Sequence, residues 1–146
     1  MAGNQLIRPV GEPTRRDWIA VMSVMLGAFM AVLDIQITNS SLKDILGSLS
    51  ATQEEGSWIS TAYLVAEIIV IPLTALLARV FGLRTYMIGT TAFFLLFSTL
   101  CGAAWNLESM IVFRMLQGFT GGALIPMAFT LVMLKLPPSK RAVGMA

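Results

Sequence analysis

Three charged residues inside long apolar stretches are the groups in this sequence that could do chemistry. Asp34, Glu67 and Arg114 each lie within a stretch long enough to cross a membrane, which takes ~20 apolar residues. A charged residue at the centre of such a helix costs ~3 kcal/mol by insertion scales and usually faces a helix bundle or a cavity. These residues therefore predict a polar site inside a membrane domain, whose chemistry would be proton binding and ion pairing.

The first apolar stretch, Trp18–Asn39, positions Asp34 deep in the membrane. At 1.5 Å of rise per residue this stretch is ~33 Å long, which exceeds a hydrocarbon core of ~30 Å. The residues Trp18–Leu33 are uncharged, so Asp34 lies ~24 Å along the helix. The alternative is that Asp34 reaches water at the outer interface and has no role.

Composition identifies an integral membrane protein. Hydrophobic residues make up 56% of the 146 residues and charged residues only 12%, whereas a soluble domain carries about 25% charged residues. There is no histidine, the single cysteine cannot form an intrachain disulfide, and the acidic residues are scattered along the chain. We therefore expect no metal, no cofactor and no enzymatic activity, and a net charge of +2 gives no reason to expect nucleic acid as a partner.

The hydrophobic pattern predicts an all-α membrane protein with four transmembrane helices. The predicted order is a cytoplasmic tail over 1–17, a helix over 18–39, a periplasmic loop over 40–55, a helix over 56–77, a cytoplasmic loop over 78–84, a helix over 85–104, a periplasmic turn over 105–108, a helix over 109–134 and a cytoplasmic end over 135–146. Eight of the ten Lys and Arg residues lie in the segments assigned to the cytoplasm, so the positive-inside rule places both termini there.

Local signals refine the second helix and the segment before it. Apolar residues at helical spacing between Leu42 and Leu49 predict a short amphipathic extension of the first helix at the interface. Thr52, followed three residues later by Glu55, predicts a capping box at the start of the second helix. Trp58 and Tyr63 near that start are typical of an interfacial aromatic belt.

Counting residues along the helices places the charges at similar depths. Below the outer boundary of the membrane, Asp34 lies ~5–8 Å, Arg114 ~8–10 Å and Glu67 ~16 Å deep. A neighbouring cation favours the ionised carboxylate whereas burial favours the protonated one, so the pair Asp34–Arg114 could bind and release a proton. The alternative is a static ion pair that only holds two helices together.

Small residues and prolines indicate where the helices pack. Gly118 and Gly122 have the G-x-x-x-G spacing that permits close approach of membrane helices, and Gly121 lies between them. We assign these glycines to packing, with direct contact to substrate as the alternative. Pro72 and Pro126 are assigned to packing as well, because a proline inside a helix frees a carbonyl and bends the helix.

Three stretches resemble one transporter family. The first is Leu33-Asp34-Ile-Gln-Ile-Thr-Asn39, the second is Ile71-Pro72-Leu73 following Trp58 and Tyr63, and the third is Arg114-Met-Leu-Gln117-Gly118. The sequence from about Trp18 onward is similar to the N-terminal part of a major facilitator superfamily drug:proton antiporter of the EmrB/QacA type, which has about fourteen spans.

The chain also departs from the family pattern. Gln36 stands where the family usually has threonine, and Lys43 stands where proline is usual. The loop between the second and third helices retains Gly82 and Arg84 of the superfamily motif, but the leading glycine, the aspartate and one basic residue are absent. The missing loop residues weaken the expectation of the usual cytoplasmic network of gating charges.

The resemblance implies proton-coupled multidrug efflux across the bacterial inner membrane. Asp34 would carry the proton, Arg114 would modulate its binding, and Glu67 would bind a lipophilic or cationic substrate or a second proton. Further substrate contacts are expected from the polar residues Gln36, Asn39 and Gln117. Such an antiporter has two six-helix halves. Four spans would therefore be incomplete alone, and the implied partners are the lipid bilayer, the remaining helices of a full-length transporter and a periplasmic adaptor protein. Two other interpretations remain open, namely a small four-helix transporter that works as an oligomer and a non-transporting scaffold or regulatory fragment.

Overall fold

The computed structural model describes the backbone of residues 14–145 and the side chains of residues 14–141. Most of the predicted N-terminal tail, residues 1–13, lies outside the described part. Six helices follow one another within residues 14–145: α1 (Arg15–Leu49), α2 (Gln53–Phe81), α3 (Leu83–Gly102), α4 (Leu107–Gly121), α5 (Leu124–Lys135) and α6 (Pro138–Met145).

In the described part of the chain, four stretches of helix are long and apolar enough to cross a membrane, which confirms the predicted all-α class. They are α1, α2, α3 and the combined stretch Leu107–Lys135, which contains α4 and α5. In the most apolar part of this fourth stretch 56% of the residues are buried, against 17% in each of the other three. The fourth stretch is therefore the central element, and the other helices pack around it.

Capping interactions set the ends of α1 and α2. Asp17 accepts hydrogen bonds from the Thr14 backbone and hydroxyl at the start of α1. At the other end Ser50 adopts a left-handed conformation with φ of 53°, and Ala51 N–H donates to Leu46 O at 3.0 Å, which closes the helix. The predicted amphipathic extension is thus the last part of α1 itself.

The predicted capping box at the start of α2 is confirmed. The Thr52 hydroxyl accepts from Glu55 N–H, and the Glu55 carboxylate accepts from the Thr52 backbone at 2.8 Å. The Thr52 backbone N–H and the Thr52 hydroxyl both donate to the Glu55 carboxylate, and these two bonds lower the pKa of Glu55. The helix therefore begins at Gln53, three residues before the predicted span.

The connection between α2 and α3 is shorter than the predicted loop over 78–84. Residues 78–81 continue α2, because Ala, Arg, Val and Phe are all compatible with a helix. Gly82 alone separates the two helices, and its φ of 80° is a conformation that side chains rarely adopt. Pro72 lies inside α2 without ending it.

The fourth stretch is interrupted, whereas the sequence predicted one helix over 109–134. It begins after Asn106, whose side chain accepts from Ser109 N–H at 2.7 Å, and its first part ends at Gly121. Pro126 has no N–H to offer the carbonyl of Gly122, four residues earlier, and its ring would clash with that carbonyl. The helical hydrogen bonding is therefore broken at Gly122 and Ala123, which keep right-handed helical backbone angles, and it resumes in α5.

An ion pair and α6 hold the predicted cytoplasmic end. Lys135, the last residue of α5, lies 2.8 Å from Asp17 at the start of α1, and mainly this hydrogen bond lowers the pKa of Asp17 to about 2. Arg141 of α6 donates to Leu136 O at 3.1 Å and to Met133 O at 3.0 Å. These bonds satisfy carbonyls that the end of α5 leaves without helical partners.

Candidate functional site

Asp34 and Arg114 form an ion pair between α1 and α4. Arg114 Nη1 lies 2.6 Å from Asp34 Oδ2, although the residues are 80 positions apart in the sequence. The exposed fraction is 7% for the Arg114 side chain and 17% for the Asp34 side chain. The structure thus brings together the two residues that depth counting placed at the same level.

Thr38 completes this pair, and the sequence analysis did not single it out. Its hydroxyl donates to the Asp34 carbonyl at 2.9 Å and accepts a hydrogen bond from Arg114 Nη2. Because Thr38 follows Asp34 by one helical turn, both residues lie on the face of α1 that meets α4. The four-residue spacing from Asp34 to Thr38 could have identified Thr38 in the sequence, since a hydroxyl at that position can orient a guanidinium beside the carboxylate.

Glycines in α4 bring Arg114 into position. A Cβ added to Gly118, one turn beyond Arg114, would overlap the main chain of Tyr63 in α2. At Gly122 it would lie 2.9 Å from the Glu67 Cα, and at Gly121 it would lie 2.7 Å from the Tyr63 hydroxyl. The contact between α2 and α4 therefore depends on the missing side chains.

The buried position of Tyr63 corrects the expectation of an aromatic belt. Trp58 is 61% exposed, as a belt residue would be, but Tyr63 is only 3% exposed. Its ring belongs to the core cluster that also contains Ala31, Phe94 and Leu124. An aromatic belt is predicted from depth alone. The burial of Tyr63 depends instead on the face of α2 that it occupies, because Tyr63 follows the buried Ile59 by one turn.

The four candidate substrate residues differ in burial and in the partners that they contact. Gln117 is fully buried, and its Oε1 accepts from the Cys101 thiol at 3.4 Å. Asn39 is exposed and accepts from the Ser60 hydroxyl of α2 at 3.1 Å, while Gln36 is exposed on α1. Glu67 is half-buried against Gly122, at the interruption between α4 and α5. Arg84 is exposed at the start of α3, away from these residues.

Two cavities touch the ion pair. A cavity of about 30 Å³ between α1, α2 and α4 is lined by Thr38, Asn39 and Arg114 among others. A cavity of about 250 Å³ between α1, α3 and α4 is lined by both Asp34 and Arg114. Among the described residues, no group of three or more His, Cys, Asp or Glu side chains could hold a metal ion.

Comparison with known families decides the class of protein. Residues 24–146 match the family described as the Major Facilitator Superfamily. The chain belongs to this superfamily. Membership, together with the apolar helices, identifies a multi-pass membrane protein and points to a transporter rather than an enzyme.

Relatives within the superfamily are named for drug export and resistance. The chain is 42% identical over 130 residues to the colistin resistance protein EmrB of Acinetobacter baumannii, covering 89% of this chain and 25% of that protein. It is 41% identical over 129 residues to the fatty acid resistance protein FarB of Neisseria gonorrhoeae, covering 88% and 25%. It is 36% identical over 128 residues to the multidrug export protein EmrB of Escherichia coli K12, again covering 88% and 25%. The chain thus spans about a quarter of the length of these relatives, and the EmrB-type resemblance is confirmed.

Proposed function

We propose that this chain contributes the proton-binding part of a multidrug exporter in the bacterial inner membrane. In this proposal Asp34 carries the proton that is exchanged for drug, and Arg114 is its counter-ion. The Asp34–Arg114 pair carries the argument, and the names of the relatives support the class of substrate.

The geometry suits reversible protonation. A buried ion pair is stable only if its Coulomb attraction offsets the cost of removing both charges from water. A proton on Asp34 cancels the attraction to Arg114 and leaves the guanidinium with Thr38 as its remaining partner at the site. The pair therefore links the protonation of one residue to the contact between α1 and α4.

Glu67 is the proposed substrate contact. Its carboxylate lies in the membrane domain at the interruption between α4 and α5, and intramembrane carboxylates are functional by default. The names of the relatives include resistance to colistin and to fatty acids. A lipophilic compound that carries a positive charge fits Glu67 best, because the carboxylate supplies the opposite charge in a medium of low dielectric.

The decisive experiment replaces both members of the pair in the complete protein. We expect Asp34→Asn to abolish drug-dependent proton movement in everted vesicles while expression and insertion persist. Asp44→Asn is the matched control, because Asp44 is exposed on the same helix. If the pair is only a structural bridge, the double variant Asp34→Asn with Arg114→Gln removes both buried charges and restores transport. Transport by that double variant would show that Asp34 does not carry the proton.

A further inference from the structure

The cavity of about 250 Å³ follows α1 from the ion pair to the end of the helix. Asp34 lines its deep end, and Ser48 and Leu49 line it where α1 finishes. The distance from Asp34 to Ser48 along the helix is ~21 Å. Ala104, in the turn after α3, also lines the cavity. The cavity therefore reaches the end of the bundle that the positive-inside rule assigns to the periplasm.

Some polar atoms of the ion pair have no hydrogen-bond partner among the described residues. Among the described residues, the hydrogen bonds of the Asp34 side chain run through Oδ2, which leaves Oδ1 for water. Arg114 Nε is buried and has no protein partner within the same part of the chain. Both residues line the cavity, and buried water is typical of sites that are roomy and offer unsatisfied polar atoms.

A larger crevice of about 370 Å³ between α1 and α3 provides a contrast. Two hydroxyls in its wall already donate to their own helices, Ser23 to Ile19 O and Thr91 to Met87 O, each at 2.8 Å. Its lining also includes Met87 and Leu124 but no charged residue. Such a crevice suits lipid chains, whereas the cavity at the ion pair suits water.

We propose that the cavity between α1, α3 and α4 is an aqueous vestibule that connects the periplasm to Asp34. Water in it delivers protons to the carboxylate from behind the α1–α4 contact, by a route separate from that of the drug. The inference rests on the proposed role of Asp34 as the proton carrier. The vestibule adds the route by which protons reach Asp34, and it predicts which residues of α3 form the wall of that route.

Neighbouring residues of α3 allow a matched test. Ser98 lines the cavity, whereas Thr99 is exposed on another face of α3 at nearly the same depth, and we expect it to face lipid. Single cysteines would be introduced as Ser98→Cys and Thr99→Cys in the complete protein carrying Cys101→Ser, which removes the native thiol of this chain. A charged, membrane-impermeant methanethiosulfonate is then applied from the periplasmic side of spheroplasts.

We expect the cysteine at position 98 to react roughly 100-fold faster than the one at position 99, because only the thiolate reacts and a charged reagent reaches a thiol in water but not one surrounded by lipid. Equal rates at the two positions, or reaction only from the cytoplasmic side, would overturn the vestibule.

A second measurement tests the route itself. A bulky adduct at position 98 should slow drug-dependent proton movement at least ~10-fold, whereas a methylthio adduct should leave it nearly unchanged, because only the bulky group displaces the water. Rapid labelling without this difference would show a wet cavity that is not the proton route, and would also refute the inference. These results do not depend on Asp34→Asn, so failure of the vestibule and failure of the proposed function can be told apart.

Discussion

Replacing Gly118 with alanine tests whether the contact between α2 and α4 is as close as the structure shows. The new Cβ would lie 2.9 Å from the Tyr63 Cα, whereas ordinary contacts begin at 3.4 Å. The helices must therefore separate by at least about half an ångström. A gap of 0.5–1 Å forfeits roughly a quarter to a half of each contact energy across the interface.

The expected magnitude follows from two opposing terms. Overpacking costs ~1–3 kcal/mol, and the better helix propensity of alanine returns up to ~1 kcal/mol. Gly27→Ala is the matched control, because no heavy atom of the described residues lies within 4 Å of a Cβ added at Gly27. We expect Gly118→Ala to lower the free energy of unfolding by ~1–2 kcal/mol and Gly27→Ala to raise it by ~0.5–1 kcal/mol.

The assay is equilibrium unfolding in mixed detergent micelles, followed by tryptophan fluorescence. A difference between the two variants of less than ~0.5 kcal/mol would refute the close contact, since additive propensity effects alone give equal changes. The contact matters for the site because Gly118 lies one turn beyond Arg114. A forced separation at Gly118 should also weaken the hold of α4 on Asp34.

Three further predictions concern substrate, topology and pH. Glu67→Gln should weaken export of cationic compounds more than export of neutral ones, because the amide keeps the shape of the side chain and loses its charge. The effect is measured as a shift in inhibitory concentration, and equal losses for both classes of compound would contradict a charge-specific contact. Alkaline phosphatase should be active when fused after Ala51 and inactive when fused after Gly82, and activity at the second position would contradict the orientation. Because the folded-state pKa of Asp17 is lowered to about 2, its stabilising contribution is present above pH ~4 and is lost as pH falls toward 2. Lys135→Met should make this acid-side loss smaller in the same unfolding assay, and an unchanged pH profile would contradict the role of the ion pair.

The sequence predicted that Asp34 and Arg114 lie at the same level because a membrane fixes the depth of each residue, which the sequence of a soluble protein does not. Helices that must span a core of known thickness give each residue a depth, and opposite charges at one depth have a strong reason to meet. Depth counting could not place Tyr63, because it gives no rotation about the helix axis. The rotation follows instead from packing against the glycines of α4 and from Phe94 in α3.

The interruption in the fourth stretch could be predicted from Pro126, but the form that it takes could not. Proline predicts a disturbed helix near Gly122, yet it does not say whether the helix bends or restarts. The outcome depends on what each half packs against. The first half meets Tyr63 and Glu67 of α2, whereas Val132 in the second half packs in a cluster with Val21 of α1.

The interruption has a mechanical consequence for α1. Carboxylates of α1 pair with cations of the fourth stretch at two depths, Asp34 with Arg114 in α4 and Asp17 with Lys135 in α5. Because the helical hydrogen bonding is broken at Gly122 and Ala123, the two pairs join α1 to the fourth stretch on either side of that break. Neutralising Asp34 releases only the first pair, and the contacts of α5 keep the other end of α1 in place. If Asp34 carries the proton as proposed, protonation would weaken the contact between α1 and α4 while the Asp17 end of α1 stays attached to α5.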